Sequence, residues 1–304
     1  MELTQDLDLS LEDVQLEGVK AHKKKKVKVS TVIYYGVYAL ICAVIFVPIY
    51  IMLITSLTHE AEAHRAQFTW WPSKGLTIAS WDKALTTSMG GPNLLQAFAN
   101  SLWIYVPFVA IGVFISTFAA YAFAKLDFTM KKPLFAILIS GMTLPNCMGT
   151  IASFLMFDKL GWVGTPLPLI VPRMLGSVGI LFFLRQFFSG IPDDLMGAAR
   201  VDGLGEFGVF FYIMMPIAIP PMLSQFILTF IGAYNDYLGP LLYLHNPDYW
   251  TLTIAISFFT EAYVQQWPLQ MAGAAIATFP LLLMYLLSQK FILAGVAVSS
   301  GLKG

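Results

Sequence analysis

Apolar residues in this chain come in long runs separated by short polar islands, not in the 3.6-residue stripe of a half-buried surface helix. Six runs are long enough to cross a bilayer, which takes about 20 residues of helix. They are residues 31–57, 101–124, 133–157, 168–188, 208–242 and 271–294. The fifth exceeds a single crossing, and Asn235, Asp236, Gly239 and Pro240 interrupt it, so it is expected to break near its end. A further apolar run at 251–259 is too short to cross and suits a re-entrant or surface segment. The pattern predicts an all-α polytopic membrane protein with six transmembrane helices.

One island is unusual. Residues 189–216 open with Pro192, Asp193 and Asp194, which is helix-start chemistry with acids at the positive end of the helix dipole. Residues 195–202 make two turns, and Gly203 sits where a helix stops. Leu195, Ala198, Ala199 and Asp202 are expected to share one face, small in its middle. Such a stub fits a groove on another protein; the plainer alternative is a capped loop helix.

Composition agrees with the pattern. The chain is 57% hydrophobic and 12% charged, against a usual charged share of about 25%, and its mean hydropathy is +0.70. Cys42 and Cys147 lie inside apolar runs and read as small buried hydrophobes, not as a disulfide or a metal pair. Net charge is zero, but its distribution fixes an orientation. With a cytoplasmic amino terminus, thirteen of the eighteen lysines and arginines fall on the cytoplasmic side, including Lys23–Lys26, Lys28, Lys125, Lys131, Lys132, Arg185 and Arg200. Both termini, and the 189–216 island, are therefore expected in the cytoplasm. The organisation follows: a cytoplasmic tail over 1–30, acidic then basic; the first span and a large outer loop over 31–100; a membrane core over 101–295; and a cytoplasmic tail over 296–304. The run at 31–57 is too long for a signal-peptide core, which is about 7–15 residues.

The outer segments carry aromatic side chains. Trp70, Trp71 and Trp81 are candidate interfacial anchors. The 245–269 segment has Tyr249, Trp250, Tyr263 and Trp267 and no lysine or arginine. It is a candidate surface for a sugar or a partner protein, with interface anchoring as the alternative.

Enzyme chemistry lacks its parts. The four histidines lie in aqueous segments, and His59 and His64 are five residues apart where a zinc-protease helix needs four. Asp236 is the only carboxylate well inside a span, and no phosphate-binding Gly-x-x-x-x-Gly-Lys-Ser/Thr loop occurs. A buried carboxylate costs about 2.5–3.5 kcal/mol on the insertion scale, so Asp236 requires a reason. It lines a pathway, bridges two helices or sits near the outer interface; its place near the end of a long segment favours the last two. Arg173 is a candidate partner. Pro145, Pro216, Pro220 and Pro221 free backbone groups that neighbouring helices or a cavity must satisfy.

The 189–216 island then becomes specific. Ala198-Ala199-Arg200-Val201-Asp202-Gly203, followed by Phe207 and Pro216, resembles the EAA loop of ATP-binding-cassette (ABC) importer permeases. The block from Phe230 to Leu241, with Tyr234-Asn235-Asp236, is similar to the aromatic-Asn-Asp block of carbohydrate permeases. The segment from Met271 to Pro280 and the ending from Gly295 to Gly304 match the same subfamily. The likeness is greatest to the maltose-type "G" subunit. It implies a type I ABC importer permease fold in a bacterial or archaeal cytoplasmic membrane, with an EAA-type coupling loop at 189–208. Asp194, Leu195, Ala198, Ala199, Arg200, Asp202, Gly203, Glu206 and Phe207 are then candidate ATPase-coupling residues. Tyr234, Asn235 and Asp236 are pathway or helix-bridging candidates, and Tyr249, Trp250, Tyr263 and Trp267 are candidate contacts to a binding protein. The implied partners are a second homologous permease, two ABC ATPases that bind the ATP and Mg, an extracytoplasmic solute-binding protein and the lipid bilayer, with no nucleic acid. The chain itself would carry no cofactor, metal or catalytic residue. The glutamate that names the motif is replaced by Gly197, so docking is expected through shape and Asp202. The alternatives are an ABC permease for a glycerol phosphodiester or a polyamine, a secondary transporter, or an interaction-only membrane protein.

Overall fold

The computed structural model describes residues 29–63, 70–88, 90–143 and 146–301. The predicted tail before Val29, Pro145 and the last three residues lie outside the described residues. Helix α1 spans Val29–Ser56, and its portion up to Tyr50 forms one compact unit while the chain from Ile51 onward forms another. Along residues 33–48 every side chain is exposed, which suits a helix solvated by lipid. Cys42, expected to be buried, is among these exposed residues.

Within the second unit, a short helix α2 (Glu60–Ala63) places the buried carboxylate of Glu62 against the backbone N–H groups of Ser73 (2.6 Å) and Lys74 (3.3 Å). Helix α3 (Ala79–Thr86) follows, and its Trp81, expected at the membrane interface, donates its indole N–H to Ser56 at 3.1 Å. Trp70 and Trp71 remain exposed.

Helix α4 (Leu94–Lys125) is the axis of this unit. It opens on a reciprocal cap in which Asn93 accepts from the Gln96 N–H (2.8 Å) and Gln96 accepts from the Asn93 N–H (3.2 Å). Ser101, Tyr105, Phe108, Gly112, Ser116 and Tyr121 recur on its buried face at helical spacing.

The third predicted span is not one helix. It folds as α5 (Lys131–Gly141), a 3-10 turn (Asn146–Gly149) and α6 (Thr150–Lys159). Phe135 packs against Phe123 near the Lys125 end of α4, while Phe157 packs against Tyr243. Each half is shorter than a crossing. Among the described residues, five other helical segments are long and apolar enough to span.

The fourth span is α7 (Leu167–Met174) and α8 (Val178–Ser189), broken at Leu175-Gly176-Ser177 with Gly176 at φ +100. The break is cradled by α4. Ser177 donates its backbone N–H to the Ser116 hydroxyl at 2.8 Å, satisfying a group that hydrocarbon cannot. Gly112 admits the backbone itself, because a Cβ there would lie 2.6 Å from the carbonyl oxygen of Arg173. Gly112→Val is therefore expected to force the two elements apart, at a cost of about 1–3 kcal/mol typical of overpacking. The chain's steady-state level in membranes should fall. Gly36→Ala, where nothing lies within 4 Å, should leave it unchanged.

The fifth span begins as α10 (Glu206–Val209), widens into a π-helical turn (Phe210–Met214) and continues as α11 (Met215–Tyr234). The π turn immediately precedes Pro216, where a regular ladder would lack a donor. The expected break is present: α11 ends at Tyr234 and the chain resumes as α12 (Leu238–Tyr243). The short apolar run forms α13 (Leu252–Ala262), with Leu252, Ile254 and Phe259 buried. Helix α14 (Trp267–Gly301) completes the unit and packs along α11.

Candidate functional site

Between α8 and α10 lies α9 (Asp194–Val201), the two-turn stub expected from the sequence. Its ending is a Schellman motif: Leu204 N–H donates to Ala199 O and Gly203 N–H to Arg200 O, both at 3.0 Å, with Gly203 at φ +91. The expected shared face is only partly realised. Met196 and Ala199 are buried against the unit's own core, whereas Leu195, Ala198, Asp202 and Gly203 are exposed. Ala199 is thus a seat for the stub and not part of its open surface. Val201, which the face assignment omits, is the most exposed apolar residue here at 88%. It lies three residues after Ala198 and seven after Asp194, a spacing that marks it from sequence.

Both ends of α9 are tied to the last turns of α4. At its start, Lys125 donates to the Ile191 carbonyl (2.5 Å) and to Asp193 (2.6 Å), so Asp193 holds an ion pair and makes no side-chain cap. This hydrogen bond and charge lower the Asp193 carboxyl from its usual range. The tie is therefore intact at neutral pH and weakens only as pH falls through that lowered value. Past its end, Glu206 accepts from Arg200 through Nε (2.8 Å) and Nη2 (3.2 Å) and from the Tyr121 hydroxyl (3.1 Å). Tyr121 and Lys125 are one turn apart on α4. Phe118 stacks on the exposed Phe207, and Tyr121 packs on Phe188 and Phe210. Arg200 and Glu206 thus face each other, whereas the exposed tip consists of Leu195, Ala198, Val201, Asp202 and Phe207. Asp194 is exposed at the first turn.

A second site joins the two broken spans. Arg173 Nη2 meets Asp236 Oδ2 at 2.7 Å, the pairing suggested by the lone charges. The other carboxylate oxygen accepts the Gly239 N–H at 3.1 Å and starts α12. A Cβ on Gly239 would approach Asp236 Oδ2 to 2.7 Å, so the glycine makes room for the pair. The guanidinium lies 5.5 Å from the Phe108 ring centre, near the midpoint of α4 and not at its end. Of the neighbouring candidates, Tyr234 is buried and donates to Ala277 O, and Asn235 is exposed and donates back to Ile231 O. Only Asp236 reaches the cavity of about 440 Å³ that Phe108, Gly112, Arg173, Ser177 and Thr229 also line.

The four aromatics of the loop segment do not form one patch. Trp250 stacks on Phe258 with centroids 4.5 Å apart and donates to Leu244 O. Tyr249 packs edge-on to Trp103, and buried Tyr263 lies under Lys83. Trp267, at the start of α14, is 49% exposed.

Residues 100–298 match the family described as "binding-protein-dependent transport system inner membrane component". The arabinooligosaccharides transport system permease protein of Halalkalibacterium halodurans is 31% identical, over 68% of this chain and 74% of that protein. The lactose transport system permease protein of Rhizobium radiobacter is 26% identical, over 87% of this chain and 94% of that protein. A solved bacterial ABC transporter involved in import of the acidic polysaccharide alginate superposes with a TM-score of 0.73 at 18% identity, covering 88% of this chain and 99% of that chain.

Proposed function

The chain belongs to the family of binding-protein-dependent transport system inner membrane components, and from that membership we propose that it is a permease subunit of an ABC importer for a carbohydrate. The saccharide permeases it resembles support the solute class. It is a multi-pass membrane transport component and not itself an enzyme.

In this reading α9 is the coupling helix, standing in the cytoplasm with both termini, as the lysine and arginine bias favours. The observation that carries it is the exposed tip of Leu195, Ala198, Val201 and Asp202 on a stub held at both ends. A tip of that size fits a cleft on an ATPase. Two ATPases bind ATP and Mg, and their closure moves α9; the ties from Lys125 and Tyr121 pass that displacement to α4. Since α4 cradles the break between α7 and α8, the displacement reaches the Arg173–Asp236 cavity. A second homologous permease completes the pathway, and an extracytoplasmic binding protein delivers the sugar. Of the four aromatics of the 245–269 segment, Trp267 is the best exposed to meet it.

Affinity-tagged chain extracted from its native membrane is expected to bring down a second permease and two ATPase copies for each permease pair. Recovery of the chain alone, with solute uptake by the chain alone, would overturn the reading in favour of a secondary transporter.

A further inference from the structure

We propose that the cavity beside the Arg173–Asp236 pair is a transit subsite for an uncharged, hydroxyl-bearing sugar, and that the ion pair sets its preference for neutral over charged solutes. The inference rests on the transport reading above and narrows its substrate class.

Three observations carry it. The pair lies beside the middle of α4, yet its side chains are 41% and 21% exposed. Hydrocarbon would make each such charge costly, so the open side faces a polar medium or a partner and not lipid. The cavity, about 440 Å³, is within the range of about 300–1,000 Å³ usual for small-molecule sites. Its wall also has the required mixture. Gly232 leaves backbone surface open, Phe108 and Val109 offer an apolar flank, and Ser177 and Thr229 bring hydroxyls.

The charge logic is specific. Among the described residues Arg173 makes one hydrogen bond, to Asp236, leaving four of the five N–H donors of a guanidinium. Sugar hydroxyls can accept from these and donate to the carboxylate without separating the pair. An anionic solute on the same donors is instead repelled by the Asp236 carboxylate beside them, and a cationic one by the Arg173 guanidinium, which is the repulsive element of a selective pocket. The pair is net neutral, and so is the solute it favours.

The test uses the complete transporter in nanodiscs, without binding protein, with saturation-transfer NMR as the readout for weak binding. Galactobiose, digalacturonate and the diamine disaccharide of glucosamine serve as neutral, anionic and cationic probes. Wild type should bind galactobiose best. Asp236→Asn should raise affinity for digalacturonate at least fivefold while changing galactobiose less than threefold. Arg173→Gln should instead favour the cationic probe, and Arg173→Lys, which keeps the charge, should keep the wild-type order. Retained co-purification of the partner subunits checks assembly of each variant. Parallel changes for all three probes would reduce the pair to a helix bridge and overturn the proposal, as would absence of binding by wild type. Sugar uptake by the wild-type complex separates the two readings. Uptake without probe binding defeats only the subsite, whereas probe binding by a complex that imports no saccharide defeats the transport reading.

Discussion

Gly203→Val is expected to lower sugar uptake at least tenfold while the chain still inserts and α4, α8 and α11 still pack. Gly203 holds φ +91, and nothing lies within 4 Å of the place where a Cβ would go. The cost is therefore one of backbone strain and not of collision, about 1–3 kcal/mol, and greatest for a β-branched side chain. That is too little to unfold the membrane core but enough to open the Schellman ending. Loss of the Leu204–Ala199 and Gly203–Arg200 bonds would re-aim Val201 and Asp202, the end of the exposed tip. Gly203→Asn, a residue that tolerates the left-handed region, should retain much of the activity. Uptake and ATP hydrolysis measured together separate the outcomes. Hydrolysis that continues without uptake is the expected uncoupling, while uptake within twofold of wild type would remove this turn from the coupling mechanism.

The sequence was most legible where physics leaves few choices. A lone carboxylate inside an apolar run is costly enough to demand a partner, so Asp236 pointed to Arg173 across more than sixty residues, and they pair at 2.7 Å. The break at Asn235 and Asp236 was legible for the same reason, and Gly203 announced the end of α9. The third span misled because averaged hydropathy cannot distinguish one long helix from two halves. Gly141 and Gly149 bracket its interruption, yet the apolar count is unaffected by them. Of the readings open for Asp236, the helix bridge is the one its pairing with Arg173 matches, and the neighbour the pair packs against, Phe108 of α4, was not legible from sequence. Least legible were the ties from Lys125 and Tyr121. Charges at helix ends in polar loops cost little, so nothing in the sequence requires Lys125 to find Asp193, and Tyr121 reads as one more apolar-face aromatic. Ala199 illustrates a related limit. Periodicity puts residues on a face but does not say whether that face turns inward or outward.

The strongest test of the coupling role proposed for α9 concerns Arg200 and Glu206, which the resemblance to the EAA loop makes candidate ATPase contacts. In the structure they engage each other, with a two-point contact at 2.8 and 3.2 Å, and Tyr121 joins from α4. Both side chains are nearly half exposed, so the pair adds little to overall stability; exposed pairs contribute about 0–1 kcal/mol. Its consequence is positional, because it fixes the angle at which the stub leaves the span that begins at Glu206. Arg200→Glu sets two carboxylates against each other beside Asp202 and should lower uptake about tenfold with little change in membrane level. Glu206→Arg should do the same by repelling Arg200. If the two residues act on each other, the double reversal restores the attraction, and uptake should return to within about threefold of wild type. If instead each meets its own partner on the ATPase, the double variant presents two wrong charges to that surface and should be at least as impaired as the worse single variant. The sign of this double-mutant coupling decides whether these two charges of the loop would grip an ATPase or brace the stub proposed to do so.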